Sequence, residues 1–282
     1  MQLKNRRAII TGGTGTIGRT IAEFFIREGC RVLVTARSAD KLNNLKKEIN
    51  SPLLEVFPAD VSEIEDVKKI MQEANRLFGG IDVLVTAAGT YGEIGTVEQC
   101  DAKGWFDSIK INLLGTVYSV KYALPLLKQG THSKIITFGG GGDGALPNFS
   151  AYASSKGAVL RFTETAAAEL KEFGVAVNTI SPGLVASGLT EELVKAGPAR
   201  SGQQKYEEAQ AQLAGKGNTV SPDKAAALAV FLASEESNGL TGKNISAVWD
   251  NWQEIPGHIK EIIESDVYNW RRIKPKDRGY DW

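Results

Sequence analysis

Thr11-Gly12-Gly13-Thr14-Gly15-Thr16-Ile17-Gly18 is the stretch on which the reading of this chain turns. It follows Arg7-Ala8-Ile9-Ile10-Thr11, an apolar, β-branched run that predicts a buried strand. It precedes Ile17, Ile21, Phe24 and Phe25, spaced as on one face of a helix. Glycines between a strand and a helix let backbone amides at the helix N-terminus approach a pyrophosphate. The same residues nearly match the phosphate loop of nucleotide triphosphatases, because Gly13 and Gly18 have its spacing. Arg19 stands where that loop needs lysine and no Mg²⁺-holding partner is evident, so the dinucleotide reading leads.

Outward from this turn, strand and helix signals alternate. Gly29 is expected to end the first helix, with Arg31–Ala36 as the second strand. A strand over 53–57 and a helix opened by the capping box Ser62-x-x-Glu65 follow, with Val67, Ile70, Met71, Ala74 and Leu77 inward. A strand over 81–86 comes next. The pattern continues with a long helix over 105–127, a strand over 134–138, a helix over 152–173 stopped by Gly174, and a strand over 175–180. Ser221-Pro222 starts a further helix, and 244–248 is a last strand. Nearly all-apolar strands separated by helices predict an α/β fold, a doubly wound parallel sheet in one domain with helices on both faces. Ligands bind such sheets beyond the C-terminal ends of the strands. No repeat or low-complexity linker breaks the chain. The segment 184–220 is too long for an idle connection and is expected to be a substrate lid.

Composition narrows the function. The 282 residues are 42% hydrophobic, with 33 Lys plus Arg against 33 Asp plus Glu, and this balance predicts no nucleic-acid partner and no membrane surface. The two cysteines, Cys30 and Cys100, have no paired spacing, which points to a reducing compartment. The first strand signal begins close to Met1 and no apolar run reaches bilayer length, so a cytoplasmic protein is expected. His132 and His258 are isolated and predict no metal site.

Strand two ends in Thr35-Ala36-Arg37, without the acidic residue that would hold a ribose 2′-hydroxyl. Arg37 suits a 2′-phosphate instead, which favours NADP(H). The alternative is that Asp40 supplies the carboxylate and NAD(H) binds, although Asp40 fits equally well in a first helical turn after Ser38. Tyr152 and Lys156, four apart at a helix start, share one face. An ammonium about 5 Å from a phenol at an effective dielectric near 20 contributes roughly 3 kcal/mol, about two pK units. That predicts a tyrosine able to exchange protons near neutrality.

With these residues in place, the chain from about Lys4 to Val248 resembles the short-chain dehydrogenase/reductase family in its compact, Rossmann-type form. The likeness is carried in order by the Thr11 to Gly18 turn, Asp60-Val61, Ala87-Ala88-Gly89, Asn112, Tyr152-x-x-x-Lys156 and Ser181-Pro182-Gly183. The resemblance implies that Gly12, Thr14, Gly15, Thr16, Ile17 and Gly18 hold the pyrophosphate and that Asp60 and Val61 border the adenine. It places Ala88 and Gly89 on the adenine ribose side, and Pro182, Gly183, Val185 and Ser187 by the nicotinamide. It makes Tyr152 the acid/base, Lys156 its partner on the nicotinamide ribose, and Asn112 the anchor of a proton-relay water. It also implies a homodimer or homotetramer built on the helices over 105–127 and 152–173.

Three departures stand out. Thr16 replaces a glycine usual in compact members, and the Gly12, Gly15, Gly18 spacing is that of extended ones. Thr86 and Ala87 replace asparagines after strand four. The family's catalytic serine would fall about thirteen residues before Tyr152, where Gly139, Gly140, Gly141 and Gly142 stand. Backbone amides of that run, or a hydroxyl of the substrate, are expected to replace the lost donor and to leave room for a polar substrate such as a sugar or polyol. Residues 249–282 run past the family's usual end and hold Trp249, Trp252, Trp270 and Trp282. They are expected to pack on the domain or a neighbouring subunit, with Trp249 and Trp252 walling the substrate pocket. The leading expectation is an NADP(H)-dependent reductase or dehydrogenase. The alternatives are a nucleotide-sensing protein that has lost chemistry with the serine, and an epimerase or dehydratase with a tightly held cofactor.

Overall fold

The central strands of this chain are buried on both faces, and the fold follows from covering both. The computed structural model describes residues 1–140 and 144–282. Its strands are β1 (Arg7–Thr11), β2 (Arg31–Ala36), β3 (Leu54–Pro58), β4 (Val83–Thr86), β5 (Lys134–Phe138), β6 (Ala176–Ser181) and β7 (Asn244–Ser246). They form one parallel sheet in the order β3-β2-β1-β4-β5-β6-β7. The helices in chain order are α1 (Thr16–Arg27), α2 (Ala39–Ile49), α3 (Ile64–Phe78), α4 (Ala102–Ile109), α5 (Gly115–Leu127) and α6 (Ser150–Leu170). They continue with α7 (Gly188–Ala196), α8 (Pro198–Ser201), α9 (Gln203–Leu213), α10 (Pro222–Ala233) and α11 (Ile259–Ile263).

Alternate strand residues serve opposite layers. Ile10, Val34 and Val85 join a cluster with Ile21 and Phe25 of α1, Leu42 of α2 and Leu228 of α10. Ile9, Leu33 and Leu84 join the other, with Val67 of α3, Val120 of α5 and Ala166 of α6. The chain reverses its direction across the sheet between β1 and β4, so their C-terminal ends open the crevice where such sheets bind ligands. At the far edge Arg7 closes the same pair, its guanidinium bonded to both Asp82 oxygens at 2.8 and 2.9 Å.

Several expectations are corrected. The Ser62 capping box does not form: α3 starts at Ile64 with Glu63 before it, because the Asp60 carboxylate takes the Ser62 amide at 2.9 Å and Ser62 itself is buried. The helix expected over 105–127 starts earlier, at Ala102, and carries a π-helical turn at Lys110–Leu114. The segment expected to be a lid is itself helical, as α7, α8 and α9. No described helix is long and apolar enough to cross a membrane, and the described residues hold no His/Cys/Asp/Glu group able to bind a metal.

The C-terminal extension packs on the domain, but not where expected. Trp249 is 72% exposed and Trp252 stacks on Phe231 of α10 at 5.6 Å, and neither lines the two cavities described below. The turn at Ser246, whose hydroxyl accepts from the Trp249 amide, sends the chain along the α10 side. Farther on, the buried Lys243 ammonium donates to Ser265 O, Val267 O and Asn269 Oδ1 at 2.8 to 3.0 Å. This delivers Trp270 onto α6, where its ring lies 3.1 Å from the place a Cβ on Gly157 would take. Lys243→Met strands three acceptors at once. It is expected to cost about 3 kcal/mol in chemical denaturation, and an unchanged midpoint would refute the clamp.

Candidate active site

Backbone alone shapes the crevice at the turn between β1 and α1. Gly12 has φ +67°, and a Cβ there would lie 2.5 Å from the Ala88 backbone. A Cβ on Gly18 would meet Gly12 O at 2.6 Å. Gly15 stands just before α1, whose first residue is Thr16, so the departure at Thr16 begins the helix without filling the turn. Arg19 points elsewhere, paired with Glu23 and Glu48, which removes the triphosphatase reading.

A cavity of about 320 Å³ runs from this turn along the crevice. It is lined by Gly12, Thr14, Gly15, Thr16, Ile17 and Gly18, then by Arg37, Asp60, Val61, Ala88 and Gly89, and at its far end by Tyr152, Lys156, Pro182 and Ser187. Ser38 and Lys41 stand beside Arg37 in the wall. Asp40 sits in the first turn of α2, whose cap is Ser38, and is not among the lining residues. A second cavity of about 220 Å³ adjoins it, lined by Tyr91, Leu146, Phe149, Thr190, Leu193 and, from α9, Lys205, Glu208 and Gln212. Gly183 and Val185, expected beside the nicotinamide, face this second cavity. Ile17, Tyr152, Pro182, Ser187 and Leu189 line both.

Tyr152 and Lys156 project from the start of α6. The Lys156 ammonium donates to Phe138 O at 2.9 Å, and burial holds its pKa down to about 8. Burial also drives the Tyr152 phenol upward, with Tyr91 and Glu192 adding to the rise. In the protein by itself the phenol is thus not pulled toward neutrality as expected: loss of solvent around a phenolate governs its shift.

Asn112 lies in the π-helical turn, fully buried. Its amide reads Thr90 from both sides, accepting from Thr90 N and donating to Thr90 O at 2.9 Å, and it also donates to Ser155 Oγ. Its oxygen lies 3.3 Å and the Lys156 Nζ 3.7 Å from where a Cβ on Gly89 would be. The expected site residues Gly89, Asn112 and Lys156 thus meet in space.

Geometry separates the two described glycines at the end of β5. A Cβ on Gly140 would fall 2.3 Å from the Tyr152 hydroxyl, whereas one on Gly139 would touch Leu160 and Thr179. Gly140 is therefore the position beside the phenol. Gly141 and Gly142 lie outside the described residues.

Sequence reasoning missed Lys41, Tyr91, Phe149, Lys205 and Glu192. Lys41 carried a signal, four residues after Arg37 in the first turn of α2; Glu192 carried none. Its carboxylate reaches the corner at Thr90 and Tyr91 only through the tertiary fold.

Comparisons with known proteins give the family and the fold of the chain. A family model described as Enoyl-(Acyl carrier protein) reductase, one of the short-chain dehydrogenase group, matches residues 13–247. An uncharacterized oxidoreductase of Bacillus subtilis (strain 168), YxbG, is 32% identical over 248 residues, 87% of this chain and 90% of that one. An uncharacterized oxidoreductase of Staphylococcus aureus (strain MRSA252), SAR2567, is 30% identical over 67% of this chain and 81% of its own. The ligand-free aldohexose dehydrogenase (AldT) of Thermoplasma acidophilum shares the fold at TM-score 0.72 and 24% identity, over 86% of this chain and 92% of that one.

Two measurements probe the site's packing. Gly140→Ala is expected to destabilise the protein by about 1–3 kcal/mol, and Tyr152→Phe in that background to restore part of the loss, because the overlap is with the hydroxyl. Additive losses would contradict the contact. Between about pH 8 and the ordinary lysine value of 10.5 the unfolded chain binds a proton that folded Lys156 does not, so stability rises with pH there. Compared with Lys156→Met, the wild type is expected to gain up to about 3 kcal/mol across that window in denaturant titrations; a flat difference would count against burial of the amine.

Proposed function

The chain belongs to the short-chain dehydrogenase/reductase family, and from that premise we propose an NADP(H)-dependent oxidoreductase acting on an alcohol/carbonyl pair, with a sugar or polyol as substrate. The observation that carries this is the position of Tyr152 on the wall common to the two cavities, with Lys156 in the larger one. The larger cavity suits a dinucleotide: side-chain-free backbone at Gly12 and Gly18, the N-terminus of α1 behind it, and Arg37 with Lys41 at the adenosine end. Two cations and no lining Asp40 there support NADP(H) over NAD(H).

When bound, the nicotinamide supplies or accepts the hydride. Tyr152 handles the proton, and a phenol held protonated by burial suits donation to the oxygen of a carbonyl being reduced. Lys156, fixed by Phe138 O, places its charge at the ribose end. Gly140 offers no hydroxyl to the reacting oxygen, a loss commonly worth about a hundred- to a thousandfold in turnover. A neighbouring hydroxyl of the substrate can supply that donor, which favours polyhydroxylated compounds. The smaller cavity suits a small substrate, with Ser187, Thr190 and Gln212 to bind hydroxyls and the rings of Tyr91 and Phe149 for a sugar face. The aldohexose dehydrogenase neighbour is consistent with that class.

The test is an absorbance screen of aldoses, ketoses and polyols with NADP(H) and NAD(H). Tyr152→Phe is expected to lower kcat at least about a hundredfold with NADPH affinity kept. Arg37→Ala is expected to weaken NADPH about tenfold while NADH changes little. Glycine at 140 also favours a second reading, a nucleotide-binding protein without turnover; tight NADPH binding and no activity across the screen would select it.

A further inference from the structure

Glu192 stands in the second turn of α7, far in sequence from any motif. Its Oε2 accepts from Thr90 Oγ1 at 2.9 Å and from Tyr91 N at 2.7 Å, both in the loop after β4. Thr90 N and O are already engaged by Asn112, so that corner is gripped from two sides, by the π-helical turn that carries Asn112 and by α7. Tyr91 carries the consequence inward: its ring stands edge-on to Tyr152 at 4.7 Å and lies 5.0 Å from Phe149.

Helix α7 borders both cavities. Ser187, Gly188 and Leu189, at its start, line the larger one with Glu192. Leu189, Thr190 and Leu193 line the smaller one. Otherwise α7 is held to this region by an apolar cluster of Leu189 and Leu193 with Ile94, Phe149 and Tyr152. Apolar contact is non-directional and tolerates sliding, whereas two hydrogen bonds to one oxygen set a register.

We propose that Glu192 is a positioning residue that fastens α7 across the nicotinamide end of the site and, through the Thr90–Tyr91 corner, holds the tyrosine ring that packs on Tyr152. This rests on the NADP(H) reading above. It acts through Tyr91 and touches no reacting atom. Glutamine keeps an acceptor oxygen in the same place and alanine keeps none, which separates the role from a general need for bulk.

The experiment titrates wild type, Glu192→Ala, Glu192→Gln, Thr90→Val and the Glu192→Ala/Thr90→Val double variant with NADPH. It reads affinity, the enhancement of nicotinamide emission on burial, and melting temperature. Glu192→Ala is expected to bind NADPH within about threefold of wild type, since the phosphate end is untouched, but to lose at least about half of the emission enhancement. Glu192→Gln is expected to retain most of it, Thr90→Val to lose part, and the double variant to be no worse than Glu192→Ala alone, the signature of a shared interaction. Wild-type enhancement in Glu192→Ala, a glutamine variant as impaired as alanine, or additive losses would each overturn the latch. Should Glu192→Ala not fold, full enhancement in Thr90→Val would overturn it instead. If wild type does not bind NADPH, the cofactor reading fails and takes the latch with it; the other outcomes defeat the latch alone.

Discussion

The contact between two backbones at the sheet's reversal point governs this molecule. Gly12, leaving β1, lies so close to Ala88, leaving β4, that no side chain fits between them. That approach exists because β1 and β4 are neighbours although β2 and β3 intervene in the chain. The Arg7–Asp82 pair secures the same two strands at the opposite edge. A bidentate pair at one end and a side-chain-free contact at the other fix the relative height of the two strands. The crevice above them therefore has a floor made of peptide groups, with the amide end of α1 facing it.

Electrostatics at the other end of the crevice are set by burial more than by partners. Lys156 and Tyr152 are both almost wholly removed from solvent, and each is pushed toward its neutral form. Lys156 keeps its charge below about pH 8, and loss of solvent still governs the shift of the phenol. A dinucleotide bound along the cavity would add its own phosphates to this field. The glycine at 140 fits the same picture: the phenolic oxygen lies where a side chain there would stand.

The extension after β7 is integral to the domain. Ile255 and Ile262 enter the core cluster under α10, and Asn244 N takes Tyr268 O beside the Lys243 clamp. Its path ends against α6, where Arg161 donates to Trp270 O and Glu164 accepts from Trp270 N. The outer surface of α6 at Gly157 is consequently covered by the chain's own tryptophan.

What the amino-acid order determined by itself is local and periodic. The apolar strands, most of the inward helix faces, Gly29 and Gly174 past helix ends, and Ser221-Pro222 at the start of α10 each rest on neighbours in sequence, and the structure places them as read, save that Phe78 and not Leu77 is the buried residue at the end of α3. The glycine turn, Tyr152 and Lys156, which line one cavity, were legible because strand–turn–helix context and four-residue spacing bring their groups together without long-range help. Only the tertiary structure decided the rest. The π-helical turn at Asn112 arises where Asn112 grips Thr90, and no helical periodicity encodes a partner 22 residues away. Whether Gly139 or Gly140 neighbours the phenol depends on how β5 exits toward α6, which counting residues along the chain left open. The direction of the Tyr152 shift, the course of Trp252 and Trp270, and the reach of Glu192 depend on burial and on contacts about twenty to a hundred residues apart, which packing supplies and composition does not record.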